Sequence, residues 1–342
     1  MDVPSNPIDL PSAWLAADCR NSTDWQYILS GDEVAEIESA LSCVTARGLQ
    51  VTKIGRDDFP LPNFSATSAD MLLELQDGLG LTIIRGLPIH RYSLDEAGII
   101  FWGIGTYLGR PHCQTPKGDF LCHVSDAVGD QYKDPTIRAQ RTSKKLPFHT
   151  DQTDVVGLLC LNISKSGGLS RLSSGVSVHN EILKRRPDLL PILYGPFYCD
   201  VRGEEPEGRK PYYVEPRFAV FQDRFYIQHG RTYIDSAQRF PEVPRMTDGQ
   251  LEAMELIDEI AGSDNFRFNY EFQEGDMQFL NNHLILHSRT EYEDYEEADR
   301  KRHLLRLWLR TPAYAELPPH FDRRNDDMEI WARNGPRVEA LT

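Results

Sequence analysis

What the chain lacks narrows its reading first. It has no CxxC pair, no HExxH, no GxSxG around any serine and no Walker loop. Zinc-finger, metalloprotease, nucleophile-elbow and P-loop chemistry therefore have no residues to stand on. Long apolar runs are missing too. The longest, Val155 to Leu161, falls far short of the roughly 20 residues a membrane helix needs. The opening MDVPSNPIDLPSAW shows neither a basic n-region nor an apolar h-region, so no secretory signal is expected. Six cysteines (Cys19, Cys43, Cys113, Cys122, Cys160, Cys199) are dispersed without disulfide-framework spacing, which fits a reducing, cytoplasmic compartment. Positive charge is in short supply: 37 Lys+Arg against 52 Asp+Glu leave a formal charge of −15. Such a surface repels polyanions at long range, so neither nucleic acid nor membrane is an expected partner. The short runs Lys144-Lys145, Lys184-Arg185-Arg186 and Arg300-Lys301-Arg302 read as solvated faces or an anion pocket.

What is present is a globular composition, 40% hydrophobic over 342 residues, long enough for two average domains or one large β domain. No repeat, low-complexity tract or linker divides it. A single domain is expected over 1–342: an N-terminal arm and helices over 1–79, a core with inserted helices over 80–310, and a C-terminal extension over 311–342. That extension is expected to wrap the domain or to meet another copy. The first 30 residues, polar and proline-dotted, read as irregular. Residues 33–47 have helical spacing, with Asp32 as cap and Gly48 as stop. Ser93-Leu94-Asp95-Glu96 is a capping box opening a helix to about Gly109. Two more helices are expected, at about 176–186 and 247–261, the second capped by Thr247 and Gln250. Strand signals fall at 81–84, 155–163, 266–272, 277–280 and 303–309, with two strands around a tight turn over 218–227. Helices first, then many β segments without βαβ alternation, predict a mainly β fold with an antiparallel core and helices packed on one side.

Gly103-Ile104-Gly105-Thr106-Tyr107-Leu108-Gly109 is a poor dinucleotide loop. Its third glycine is one position late and it sits inside a helical pattern, so close packing and a helix stop explain it better. More informative is Pro147-Phe148-His149-Thr150-Asp151, leading into an apolar strand. In an extended chain residues i and i+2 share a face, so His149 and Asp151 can reach one metal ion. By itself an HxD pair is more often a surface histidine beside a solvated acid. A distant second histidine would complete a 2-His-1-carboxylate face, which leaves positions open on octahedral iron(II). The segment from Gly275 to Arg289 offers two, His283 and His287, four positions apart along one expected strand and so on the same face. Beyond them, Arg302-His303-Leu304-Leu305-Arg306 places two arginines in strand-like sequence. A dicarboxylic cosubstrate needs such a cation for its remote carboxylate, and arginine supplies it bidentately.

These ordered motifs resemble the taurine dioxygenase-like (TauD/TfdA, clavaminate synthase-like) superfamily of iron(II)- and 2-oxoglutarate-dependent oxygenases, over roughly residues 80–310. They are a strand-borne HTD, Gly167-Gly168-Leu169-Ser170, a Gly-Asp…Asn…His-x-Arg block and an R-x-x-x-R pair. The resemblance implies a double-stranded β-helix (jelly roll, cupin-like) with flanking helices. It implies hydroxylation or desaturation of a C–H bond in a small molecule, consuming O2 and 2-oxoglutarate and releasing succinate and CO2. His149, Asp151 and His287 then match the iron ligands, His287 being favoured over His283 because Ser288-Arg289 follows it. Arg302 matches the arginine for the remote carboxylate of 2-oxoglutarate, and Ser170 a residue assisting it. Arg306 matches a second arginine, toward cosubstrate or an anionic substrate group, with a structural salt bridge as its other reading. His112, in a loop like the family's substrate-side lid, is a substrate-contact candidate. Histidines 90, 123, 179, 229, 303 and 320 read as structural or solvated. Asp151 is retained where halogenating members carry a small residue, which favours oxygen transfer or desaturation. Two alternatives stay open: a non-redox, zinc-type enzyme on the same ligands, and a non-catalytic binding scaffold. Many relatives self-associate, so a homo-oligomer is compatible. The acidic surface and Arg306 give conflicting clues to the substrate's charge.

Overall fold

A computed structural model describes residues 3–126, 142–319, 321 and 323–340; His320 lies outside them. The frame is two sheets. The larger runs, in spatial order, through Gln26–Ile28, Leu81–Arg85, Met277–Asn281, Val155–Asn162, His303–Arg310, Asp119–Val124 and Arg337–Val338. Its interior pairings are antiparallel and its two edge strands pair in parallel. The smaller, wholly antiparallel, orders Phe268–Tyr270, Ser170–Ser174, Ile285–Arg289 and Leu146–His149. This is the mainly β, jelly-roll architecture that the sequence suggests.

The period-2 alternation of a strand decides which side chains meet where. Along His303–Arg310, Leu304, Arg306 and Trp308 line a cavity between the sheets, whereas Leu305, Leu307 and Leu309 join the core on the other face. Helices Gly31–Ala46, Pro62–Asp77 and Leu94–Leu108 pack on that far face of the larger sheet. Helices Gly175–Arg185 and Asp248–Gly262 cover the smaller sheet, with Val176, Ile257 and Ile260 in one cluster with Leu172 and Leu286. Helices thus flank both sheets and not one side, because each sheet has an apolar outer face to bury.

Several local expectations hold. Ser93 and Thr247 cap their helices through capping boxes with Glu96 and Gln250. Gly103 packs where a Cβ would lie 2.4 Å from the Phe59 ring, which explains the glycine without any cofactor. Strands Phe218–Phe221 and Arg224–Ile227 form a hairpin whose turn residues, Gln222 and Asp223, both take left-handed φ (49° and 60°), the handedness a two-residue hairpin favours.

Others are corrected. The first 30 residues are not irregular: they hold a helix, Ala16–Asn21, and the edge strand Gln26–Ile28. The cap of helix Gly31–Ala46 is Ser30 rather than Asp32, since Ser30 and Glu33 exchange the two capping hydrogen bonds. Helix Pro62–Asp77 had no clear sequence signal, because its buried stripe of Phe64, Ser68, Met71 and Leu75 is narrow and includes a serine. Finally, 277–289 is not one β segment. Met277–Asn281 belongs to the larger sheet and Ile285–Arg289 to the smaller, with a crossing turn between them.

Candidate metal centre

That crossing turn separates His283 from His287. His283 sits in the turn with Nε2 on Asp154 Oδ1 at 3.0 Å and its ring against Tyr314. Asp154 Oδ2 accepts from the Thr311 backbone N–H, so His283 helps lock a corner of the fold. His287 lies on the strand directly opposite His149 in the antiparallel register, and cross-strand neighbours stand close enough to share a ligand. Their ring centroids are 4.2 Å apart. His149, Asp151 and His287 bring one donor atom each within 4.8 Å of one another, the single such metal-capable group among the described residues.

Asp151 arrives by a route the i, i+2 argument did not contain. The strand ends at His149, and Thr150 turns aside: its N–H donates to the His229 carbonyl and its hydroxyl to Gln228. The Asp151 N–H then donates to Asn282 Oδ1 at 3.0 Å. Its carboxylate accepts from Trp308 Nε1 at 3.0 Å and from Arg306 Nη1 at 3.3 Å. Burial works to raise the Asp151 pKa, but Arg306, the two histidines and Trp308 outweigh it and bring it down to about 2. Burial, and then His149, depress His287 to about 3; burial likewise lowers His149. At neutral pH the group is therefore one carboxylate and two neutral imidazoles, the protonation state a divalent metal requires. Pro147 O can only accept, so the 2.9 Å contact from His149 Nδ1 fixes the proton on Nδ1 and leaves the Nε2 lone pair free.

Arg306 is thus tied first to a site carboxylate. Its Nε donates to Gln114 Oε1 at 2.8 Å, and Gln114 in turn donates to Phe120 O and Arg306 O. Its Nη2 is buried without a hydrogen-bond partner among the described residues and lines the cavity. Arg302 lines the same cavity, 5% exposed, with Nη1 lacking a hydrogen-bond partner among the described residues. Ser170 is there too, its hydroxyl bonded to Gln278 Oε1 at 3.1 Å.

The residue whose part sequence reasoning missed is Arg289. Its Nη2 donates to the carbonyls of Thr142 and Lys144, while Nε and Nη1 are buried without a hydrogen-bond partner among the described residues. Arg289 and Arg302 both lie over the Tyr292 ring, at 4.7 and 5.1 Å. Burial, followed by the field of Arg302, lowers the Arg289 pKa to about 10. The only signal for it was its place two residues after His287.

His112 does not line the cavity. It is buried behind Trp308, with Nε2 on Thr153 Oγ1 at 2.9 Å and its ring 5.9 Å from the indole. Its expected substrate contact gives way to a supporting place behind the Trp308–Asp151 bond, because the strand alternation turns Trp308 inward ahead of it. His179 and His229 are buried on Tyr194 and Asp258, His123 and His303 pair at 2.7 Å, and His90 is exposed.

With this geometry in hand, similarity to known proteins is informative. The family profile "Taurine catabolism dioxygenase TauD, TfdA family" matches residues 45–308. An FR-33289 synthase of Streptomyces rubellomurinus (strain ATCC 31215) is 29% identical, over 97% of this chain and 99% of its own. A taurine hydroxylase-like protein, SAT17, of Stachybotrys chartarum (strain CBS 109288 / IBT 7711) is 31% identical, over 92% and 83%. Among solved structures, an asparagine oxygenase in complex with Fe(II), 2S,3S-3-hydroxyasparagine and succinate superposes with a TM-score of 0.65 at 15% identity, covering 84% of this chain and 94% of that one. The non-heme iron oxygenase OrfP in complex with Fe and alpha-ketoglutaric acid gives 0.65 at 14%, over 92% and 99%. The chain belongs to the TauD/TfdA dioxygenase family and is an oxidoreductase.

Proposed function

We propose that the protein is a single-domain iron(II)- and 2-oxoglutarate-dependent dioxygenase that hydroxylates or desaturates a C–H bond of a small molecule. The observation that carries this is one cavity holding both a two-histidine, one-carboxylate face and buried guanidinium groups whose N–H donors lack partners among the described residues. A site for a hydrolytic zinc would need only the first. Two buried like charges beside one ring leave an anion-shaped demand, which the remote carboxylate of a 2-oxo diacid meets. The donor set fits iron(II). No helix among the described residues is long and apolar enough to cross a membrane. None of the six cysteines is disulfide-bonded, which supports a reducing, cytoplasmic setting.

His149, Asp151 and His287 would hold the metal, which when bound with 2-oxoglutarate supplies the oxidising chemistry that yields succinate and CO2. The protein's own part is positional. Trp308 and Arg306 hold the Asp151 carboxylate in one orientation, and Pro147 holds the His149 proton on Nδ1. Arg302, with Arg289 beside it, binds the far carboxylate, and Ser170 accepts or donates as its rotor allows. Val156, Leu158, Leu304 and Phe272 add an apolar stretch to the wall, limiting water at the reacting carbon. The cavity, about 120 Å³, suits a small molecule.

The test is an anaerobic titration of metal-free protein with iron(II) and 2-oxoglutarate, following the weak visible charge-transfer band of a chelated 2-oxo acid. The band should appear in the wild type and vanish in His149→Ala. Arg302→Ala should keep iron binding while weakening 2-oxoglutarate about 100-fold, from loss of a charge-assisted pair. Iron binding without the band in the wild type would refute the cosubstrate pocket, and restoration of activity by zinc would refute the redox assignment.

A further inference from the structure

The family match ends at residue 308, yet the cavity does not. Met328 and Trp331, from helix Arg323–Ala332, line it together with Val124, Leu304 and Trp308. Spaced i, i+3, they share one face of that helix, and they are 2% and 4% exposed. The segment is pinned by more than helix packing. Strand Arg337–Val338 extends the larger sheet beside Asp119–Val124, Arg337 Nε pairs with Asp119 Oδ1 at 2.5 Å, and the Glu339 N–H donates to Leu121 O. Across the mouth, Asp327 faces Arg209 at 4.0 Å, in the loop that brings Arg202 and Glu204 to the cavity rim.

We propose that this C-terminal helix is the specificity-determining wall of the pocket, and that Met328 and Trp331 receive a short aliphatic segment of an amphiphilic substrate. The assignment rests on the dioxygenase reading above and adds the substrate's chemical class. A thioether and an indole side by side offer adaptable, polarisable apolar surface with no charge. Polar groups lie elsewhere on the lining: Arg306 Nη2 below, and Gln152, Arg202, Glu204 and Thr232 around the rim. A ligand spanning the two must be polar at one end and saturated at the other. Placing selectivity on an element that holds none of His149, Asp151, His287 or Arg302 lets the wall vary without disturbing the oxidising centre.

The probes are straight-chain carboxylates from propionate to octanoate, titrated calorimetrically into the anaerobic complex with iron(II) and 2-oxoglutarate. Wild type should bind about fourfold tighter per added methylene up to a limiting length. Met328→Ala and Trp331→Ala should flatten that gradient to under about twofold and admit a longer chain, whereas Trp331→Phe should keep it. The charge-transfer band should be the same in all four proteins. A missing band in the wild type would overturn the dioxygenase reading itself. A normal band with no chain-length gradient in the wild type, or with wild-type gradients in both alanine variants, would overturn the wall alone. Thermal melts report folding; should Trp331→Ala unfold, Met328→Ala and Trp331→Leu carry the same test.

Discussion

Replacing Trp308 by phenylalanine would remove the indole N–H while keeping an aromatic ring in place. That N–H is 3.0 Å from Asp151 Oδ2, and partners that orient a ligand carboxylate set its affinity for metal. Iron(II) binding to Trp308→Phe should weaken about 10- to 100-fold, as read by metal titration, beside a thermal melt that shows the protein still folds. Unchanged affinity would mean that Arg306 alone holds the carboxylate. At this scale much of the site was legible. His149, Asp151 and Arg302 stand in sequence beside the residues that gave their motifs meaning. Arg306 was legible as a cation but not as the partner of Asp151, 155 positions away. No local pattern reports a contact of that separation.

Among the elements, the loop after strand Phe197–Asp200 deserves a test of its own, since it forms part of the cavity rim. Asp200, fully buried, accepts from the Arg202 N–H at 2.7 Å, from Arg239 Nε at 2.8 Å and from the Ser236 hydroxyl. Burial works to raise its pKa, yet Arg239, Ser236 and Arg202 outweigh it and hold the carboxyl below its usual range. A depressed carboxyl stabilises the fold above its unfolded pKa of about 3.9 and loses that contribution as pH falls through the lower folded value. Asp200→Asn should therefore cost about 1–3 kcal/mol at pH 7, and the difference from wild type should shrink below about pH 4. Denaturant melts at pH 7 and pH 3.5 decide it; a gap that persists at low pH would point to lost packing instead of lost charge. Element existence was readable wherever periodicity was strong, as in Val155–Asn162 and His303–Arg310. It failed at Pro62–Asp77, where a serine interrupts the apolar stripe, and at 277–289, where the polar Asn281-Asn282-His283 marks a turn between two sheets inside what reads as one continuous strand.

For the whole molecule, the site joins both sheets: His149 and His287 come from the smaller, and Arg306 and Trp308 from the larger. Ligands that bind only the folded state stabilise all of it at once. At about 100 times its dissociation constant each ligand adds about 2.7 kcal/mol, so iron(II) with 2-oxoglutarate should raise the anaerobic melting temperature by several degrees. Asp151→Ala should show no such rise. Equal shifts in both proteins would place the binding elsewhere.

The sequence by itself determined the β-rich class, the capping boxes at Ser93 and Thr247, the close spacing of His149 and Asp151, and two arginines four positions apart in strand-like sequence. Each of these is written in spacings of a few residues, where backbone periodicity and capping act. Only the tertiary structure decided that His287 stands opposite His149 while His283 locks a turn on Asp154, that Arg306 pairs with Asp151, and that Arg289 lies beside Arg302 over the Tyr292 ring. It alone brought Met328 and Trp331 to the cavity. Those outcomes depend on which strand lies beside which and where a chain crosses between sheets, and that pairing is settled by burial of the whole core, a quantity no local window contains.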